Sequence, residues 1–172
     1  MTNEVTTFYE RQSELVAHLL SARQLSLAQD AEQMLQKNLP LAAASYFEHL
    51  VTEALRGYVR LKSNGCDELI SLFDQKAIKR QYHTLFEWEK SSNANRFWGL
   101  FGDAFKAVAV AEVAADPDLA QSIKDFLSIG ELRNQIIHQN YVAYTSAKSA
   151  EEIFSLFQSA ERFVTFARRK LA

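Results

Sequence analysis

The chain has 172 residues, of which 48% are hydrophobic and 23% are charged, so it can bury the core of one globular domain. Its formal net charge of −2 gives no sign of a generally basic, nucleic-acid-binding surface, and any anion site must be local. A single cysteine excludes an internal disulfide framework and favours a reducing, cytoplasmic location. No apolar run approaches the roughly 18 residues that span a bilayer, and the polar N-terminus does not resemble a signal peptide.

The first third of the chain has the apolar spacing of helices. Residues 4–36 carry this spacing, and they form either one long helix or two, with no break that the pattern locates. Asn38 is expected to cap a further helix, with Pro40 in its first turn. That helix should cover residues 41–63 and end at Gly65.

The remaining two thirds also read as helices joined by short breaks. Short helical pieces are expected over residues 66–74 and 75–88. Asp116 has the position of an N-cap before Pro117, and the helix it starts should reach about residue 141. Ser149 and the glutamate three residues later form a capping box for a strongly amphipathic last helix.

The predicted fold class is all-α, because no segment shows the alternation of a strand. We expect a bundle of four or five main helices. Residues 1–172 are predicted to be a single domain, in which residues 1–37 form an N-terminal helical segment that packs on the bundle.

One stretch, ELRNQIIHQNY at residues 131–141, is unusually polar for a packed helix. On a helix, Asn134 and His138 lie four residues apart, so the amide can contact the imidazole and orient it. Arg133 lies on the flank and can swing toward the same side. The opposite face carries an apolar stripe of Ile129, Leu132 and Ile136.

These residue types suit cleavage of a phosphodiester without a metal. A histidine near neutral pKa can take the proton of a ribose 2′-hydroxyl or protonate the leaving 5′-oxygen. An arginine can clamp the phosphate. One histidine is too few to serve as both general acid and general base, and a symmetric dimer in which two copies face each other would supply two histidines to one site. The alternative interpretation is that the arginine and the histidine are ordinary solvated residues on the helix surface, with no catalytic role.

The motif resembles the signature of the HEPN superfamily, in which a polar residue directly follows an arginine and a histidine follows after four to six residues. Arg133, Asn134 and His138 match it. The segment ASYFEHLVTEALRGYV is similar to the early helix of the superfamily, and NANRFWGLFGDAF followed later by LRNQIIH is similar to its RiboL-PSP-type branch. The resemblance spans about residue 39 to the C-terminus. It implies a helical bundle that dimerises through the motif helices and cleaves RNA without metal.

The resemblance also implies a biological setting and two supporting residues. Family members are commonly toxins or effectors of antiviral, abortive-infection or toxin–antitoxin systems, and some have become binding modules. Glu48 matches the acidic residue of an early helix and either supports Arg133 or is a surface charge. One group has a modified tyrosine two residues after the histidine. Here Asn140 stands at that position, and Tyr141 follows it.

Other candidates have more ordinary interpretations. The histidines and Cys66 have no partners at metal-ligand spacing, so we expect neither a metal nor a cofactor. Basic residues near the C-terminus, Arg162 among them, fit a helix end better than an RNA contact. An aromatic cluster is expected in the core or at a dimer surface rather than as a base-stacking platform; it comprises Trp88, Phe97, Trp98, Phe101 and Phe105.

From the sequence we therefore expect a metal-independent endoribonuclease of the HEPN type. RNA is its expected substrate, a second copy of the chain its expected partner, and an antitoxin or other defence protein a further partner. Arg133, Asn134 and His138 are the expected catalytic residues, with Glu48 and Tyr141 in support. The alternative is a non-catalytic HEPN module that binds a partner protein or a nucleotide.

Overall fold

A computed structural model describes residues 3–79, 81–89 and 92–172. Within these ranges the chain forms seven α-helices, one π-helical segment (Asp74–Ile78), one 3-10 turn (Tyr82–Thr84) and no strand. The all-α prediction is therefore confirmed. The helices are α1 Glu4–Ser21, α2 Leu25–Lys62, α3 Asp67–Phe73, α4 Asn95–Gly99, α5 Asp103–Ala114, α6 Pro117–His138 and α7 Ala150–Lys170.

The first two helices form a hairpin whose turn lies at residues 22–24, the break that the sequence pattern did not locate. Arg23 has a positive φ of 59° in this turn. The hairpin packs on α7, where the ring of Tyr9 stacks on that of Phe154 at 4.0 Å and Asn3 Nδ2 donates to Glu161 Oε1.

The predicted helix start at Pro40 is wrong, because α2 runs without interruption through Asn38 and Pro40. A proline inside a helix costs about 3 kcal/mol. Leu35, Leu39 and Ala43 are all buried around it. Burying one leucine side chain contributes roughly 1.5–3 kcal/mol, so the buried residues on both sides of the proline favour a continuous helix.

The core lies where α2, α6 and α7 meet, and aromatic side chains dominate it. Phe47 from α2 lies 5.2 Å from Phe157 of α7 and 5.5 Å from Phe126 of α6, measured between ring centroids. Phe126 in turn lies 4.8 Å from Phe163. The three long helices are thus fixed relative to one another by one continuous aromatic cluster.

The aromatic cluster that the sequence analysis assigned to the core or a dimer surface lies mostly in this core or at its edge. Phe97 and Trp98 are buried, and Phe101 and Phe105 pack partly buried beside them. Trp88 is also only partly buried, and it lies in residues 81–89, which include the 3-10 turn and which we call the irregular segment before α4. Its position matters for the candidate site.

Several predicted helix ends are confirmed by their hydrogen bonds. Asp116 Oδ1 accepts from the backbone N–H of Leu119 at 3.0 Å, with Pro117 as the first residue of α6. The capping box at the start of α7 is complete, with Ser149 as its N-cap. Gly65 follows α2 with a φ of 77°.

Other details differ from the expectation. The helix containing the motif ends at His138 rather than near residue 141. In residues 75–79 and 81–88, the described part of the predicted second piece, no α-helix forms; most of the π-helical segment and the 3-10 turn lie there, and Arg80 is outside the described residues. None of the helices described here is long and apolar enough to cross a membrane.

Candidate functional site

The polar motif lies on the last turns of α6, and its orientation follows from the apolar stripe on the same helix. Ile129, Leu132 and Ile136 are buried, as the helical projection predicted. Their burial turns the other side of the helix outward. Arg133 and Asn134 are half-buried there, whereas His138 is exposed as the last residue of the helix.

A cavity of about 180 Å³ lies beside the motif, between α2, α6 and the irregular segment before α4. We call it the Arg133 cavity. Its polar lining comes from three parts of the chain: Glu48 of α2, Tyr82, His83 and Trp88 of the irregular segment, and Arg133 and Asn134 of α6. Apolar side chains of α2 and α6, including Phe126, complete the wall.

Gly130 allows the irregular segment to approach α6. A Cβ atom at this position would overlap the six-membered ring of Trp88, which lies against the helix backbone. The indole Nε1 donates a hydrogen bond of 2.9 Å to the backbone carbonyl of His83. This glycine and this hydrogen bond together hold one wall of the cavity in place.

The side chain of Asn134 orients Arg133 rather than His138. Arg133 Nη1 donates to Asn134 Oδ1 at 2.9 Å. Among the described residues, no hydrogen bond joins Asn134 to His138, so the expected polar contact between them is not formed. The guanidinium keeps its other N–H groups for a ligand, since an arginine has five.

The electrostatics of the cavity link three of its residues. Burial raises the pKa of the Tyr82 hydroxyl well above its ordinary value. The nearby charge of Glu48 raises that pKa further, and the charge of Arg133 opposes it. The raised pKa keeps the Tyr82 hydroxyl neutral in a cavity that also holds an anionic and a cationic side chain.

Glu48 and Arg133 share the cavity without pairing. They form no salt bridge or hydrogen bond with each other within the described part of the chain. The supporting role expected for Glu48 therefore stays a prediction. What the geometry provides is an acidic and a basic group on opposite elements, facing one small space.

The chain after His138 is attached to the first half of α2. The Tyr141 hydroxyl donates to Asn38 Oδ1 at 2.9 Å, and its ring lies 5.5 Å below the ammonium of Lys37. Lys37 Nζ also donates to the backbone carbonyl of Val142 at 3.0 Å. Tyr141 thus lies outside the cavity, and it packs against α2.

Sequence reasoning did not place several residues of this region. Tyr82 and His83 reach the cavity from an irregular segment whose path no periodicity specifies, and Trp88, which was assigned to the core or a dimer surface, lines the cavity beside them. Lys37 had no partner that its spacing could indicate. Gly130 was also missed, although a glycine inside a helix is a signal that often marks a close approach.

A metal site finds no support in the described ranges. Among residues 3–79, 81–89 and 92–172, no group of three or more histidine, cysteine, aspartate or glutamate side chains could hold an ion. The polar groups beside the motif instead combine one cation, one carboxylate and neutral donors. Such a set binds a charged or polar organic ligand directly.

Comparison with protein families now decides the relationship suggested by the motif. Over residues 6–172, the chain matches the family model described as RiboL-PSP-HEPN. The chain belongs to the RiboL-PSP-HEPN family. The matched range also includes α1, which the resemblance from residue 39 onward did not cover. Searches of curated proteins and of solved structures gave no match for this RiboL-PSP-HEPN chain.

Proposed function

We propose that this RiboL-PSP-HEPN chain is a metal-independent endoribonuclease. The observation that carries the proposal is the Arg133 guanidinium, held by Asn134 at a cavity on the helix that ends at His138. Arg133 binds the scissile phosphate, Asn134 positions Arg133, and His138 transfers protons. Family membership supports a ribonuclease or nucleotide-binding role in general terms.

The reaction uses the nucleophile that RNA itself carries. The histidine base takes the proton from the 2′-hydroxyl, and the 2′-oxygen forms a bond to phosphorus. The bond from phosphorus to the 5′-oxygen breaks, and a histidine acid gives that oxygen a proton. The products end in a 2′,3′-cyclic phosphate and a 5′-hydroxyl. Arg133 stabilises the charge that builds on the phosphate oxygens.

A second copy of the chain completes the proposed site. His138 does not line the Arg133 cavity, so one chain alone brings together only part of the set. Ile137, Tyr141 and Val142 are exposed beside His138, and the Tyr141 hydroxyl lies 4.0 Å from the sulfur of the exposed Met34. This surface, the motif-end patch, suits a symmetric interface in which two histidines face each other.

The proposed setting is a toxin or effector in a bacterial defence or toxin–antitoxin system, controlled by a partner protein. Its support is the resemblance of the motif to family members with such roles. Expression of the chain should slow growth, and Arg133→Ala or His138→Ala should relieve the effect.

A second candidate is a non-catalytic module that binds a nucleotide or a partner protein. The exposure of His138 outside the cavity favours it, because a binding site needs Arg133 and the cavity alone. This candidate predicts ligand binding without RNA cleavage, and no growth defect on expression.

Cleavage by purified protein tests the proposal. Protein free of any partner should cut a mixed RNA pool in the presence of EDTA and leave 2′,3′-cyclic phosphate ends. His138→Ala should lower the rate by about 10²- to 10⁴-fold, which is the usual contribution of general acid–base catalysis. The matched control is His18→Ala, an exposed histidine at the end of α1. Equal rates for the two variants would remove His138 from the mechanism.

A further inference from the structure

The Arg133 cavity has more recognition groups than phosphate binding requires. Glu48, Tyr82 and Trp88 line it, yet none of them is needed to clamp a phosphate. Its volume of about 180 Å³ is below the roughly 300–1,000 Å³ of sites for drug-sized ligands. It is also many times the roughly 15 Å³ that one water molecule needs. The cavity therefore fits a single planar ring system.

The walls are aromatic and the polar groups are unused. Tyr82 and Trp88 contact each other with ring centroids 5.7 Å apart, and Trp88 lies 5.7 Å from Phe126, so the three rings form one continuous aromatic wall. An aromatic wall can pack against the face of a nucleobase. Neither the Glu48 carboxylate nor the Tyr82 hydroxyl has a hydrogen-bond partner in the ranges that the structure describes. A ligand can satisfy both groups at once.

We propose that the Arg133 cavity is a guanine subsite, in which Glu48 recognises the base of a nucleotide next to the scissile phosphate. The carboxylate accepts from N1–H and from the exocyclic N2 amine of guanine. The Tyr82 hydroxyl donates to the O6 atom. Arg133 remains at the rim for the phosphate, where Asn134 holds it.

The chemistry of the four bases selects guanine. A carboxylate at neutral pH only accepts hydrogen bonds, and guanine alone has two adjacent donors on its Watson–Crick edge. Adenine and cytosine present one exocyclic amine beside a ring acceptor, which would face the carboxylate unfavourably. Uracil presents a single N–H between two carbonyl oxygens. A half-buried carboxylate that faces an acceptor costs affinity, because neither group is satisfied.

The inference depends on the proposed function for its RNA substrate, and a cleavage experiment tests it in that context. Cut sites mapped on a random RNA pool should lie next to guanosine. Replacing that guanosine by inosine, which lacks the N2 amine, should slow cleavage by roughly tenfold, because one hydrogen bond to a charged acceptor is lost. Cuts spread evenly over the four bases, or inosine cut as fast as guanosine, would overturn the subsite.

A substitution at Glu48 gives the sharpest outcome. Glu48→Gln replaces one acceptor by a donor, so preference for guanine should fall at least tenfold and adenine should gain relative to it. The matched control is Glu10→Gln, an exposed glutamate on α1, which should keep the guanine preference. Unchanged base preference in Glu48→Gln would exclude this carboxylate from recognition.

A binding measurement separates failure of the subsite from failure of the ribonuclease proposal. His138 does not line the cavity, so His138→Ala protein should still bind guanosine 5′-monophosphate. Binding should quench the part of the tryptophan fluorescence that comes from Trp88, which is the one of the two tryptophans that lines the cavity. It should be at least tenfold tighter than that of adenosine or cytidine monophosphate. Guanine-selective binding without RNA cleavage would leave the subsite standing and refute the nuclease. RNA cleavage by the unchanged protein, together with equal binding of the three nucleotides, would support the nuclease and refute the guanine subsite.

Discussion

Gly130 is a single residue on which the shape of the cavity depends. A glycine in a helix interior costs about 1 kcal/mol relative to alanine. The helix carries it at the point where the Trp88 ring occupies the space of a side chain. Local helix propensity thus gives way to the approach of a segment that is distant in sequence.

We predict that Gly130→Ala destabilises the protein although alanine is the better helix former. The new methyl group must displace Trp88, and overpacking of this kind typically costs about 1–3 kcal/mol. Urea unfolding provides the measurement. The matched control is Gly57→Ala on α2, where nothing lies within 4 Å of the added Cβ. That variant should gain up to about 1 kcal/mol, and stabilisation of both proteins would contradict the proposed packing.

The residue scale also shows what sequence can and cannot identify. Arg133, Asn134 and His138 were found because their spacing on one helix is fixed by helix geometry. The partner of Asn134 was not predictable, since Arg133 and His138 both lie within its reach. Tyr82 and Trp88 join the site only through tertiary packing, which leaves no local pattern in the chain.

At the scale of single elements, the helix starts that have a side-chain cap were predictable, whereas several other helix ends were not. The start of α7 follows from hydrogen bonds between residues three apart, with Glu152 Oε2 accepting from the Ser149 backbone at 2.7 Å and the Ser149 hydroxyl accepting from the Glu152 backbone at 3.1 Å. Pro40 misled the prediction because its local cost is outweighed by buried neighbours that act only in the folded protein.

We predict that Ser149→Ala destabilises the protein by about 1 kcal/mol, because the N-cap loses its side-chain acceptor. Thermal unfolding provides the measurement. Ser155→Ala is the control, since its exposed hydroxyl bonds only a backbone carbonyl within the same helix. An equal decrease in the free energy of unfolding in both variants would show that the N-cap hydrogen bond of Ser149 contributes no extra stability.

The same cap should make the stability depend on pH. Hydrogen bonds from Ser149 lower the pKa of Glu152 below its usual value. The contribution of the ionised carboxylate is therefore full above the unfolded pKa of about 4.3, and it is lost as the pH falls through the lower folded value. Glu152→Gln should unfold more easily than the unchanged protein at pH 7, and the difference should vanish in strong acid. A gap that persists at low pH would contradict this origin.

At the scale of the whole molecule, the helical class follows from the sequence pattern itself, whereas dimerisation through the motif helices was expected only from the family resemblance and stays a prediction. Helical periodicity is repeated in every long segment, so the all-α bundle is specified many times over. A contact between two copies depends instead on surface residues whose partner is another chain. The exposed Ile137 and Val142 are visible as such only after folding.

We predict that the chain dimerises through the motif-end patch and that cleavage requires the dimer. Ile137→Asp places a charge on this surface, next to His138, and should convert the dimer to a monomer with loss of RNA cleavage. Sedimentation velocity provides the measurement. Leu69→Asp on α3, which changes an equally exposed aliphatic residue, is the control and should remain dimeric. A monomeric Ile137→Asp protein that still cuts RNA at the original rate would refute the shared site.

The buried Lys37 orders the segment that follows His138 before any ligand binds. Its side chain is only 7% exposed, and its ammonium has no carboxylate partner in the described part of the chain. The Val142 carbonyl and the Tyr141 ring replace the water that the Lys37 ammonium loses on burial. Moving residues 141–142 away from α2 would leave this charge buried without a partner, which is unfavourable. The contacts of Lys37 with Tyr141 and Val142 therefore hold the backbone that follows His138 against α2 in the folded chain. The entropic cost of ordering residues 141–142 is therefore met in folding, and it does not weaken the binding of a ligand beside His138.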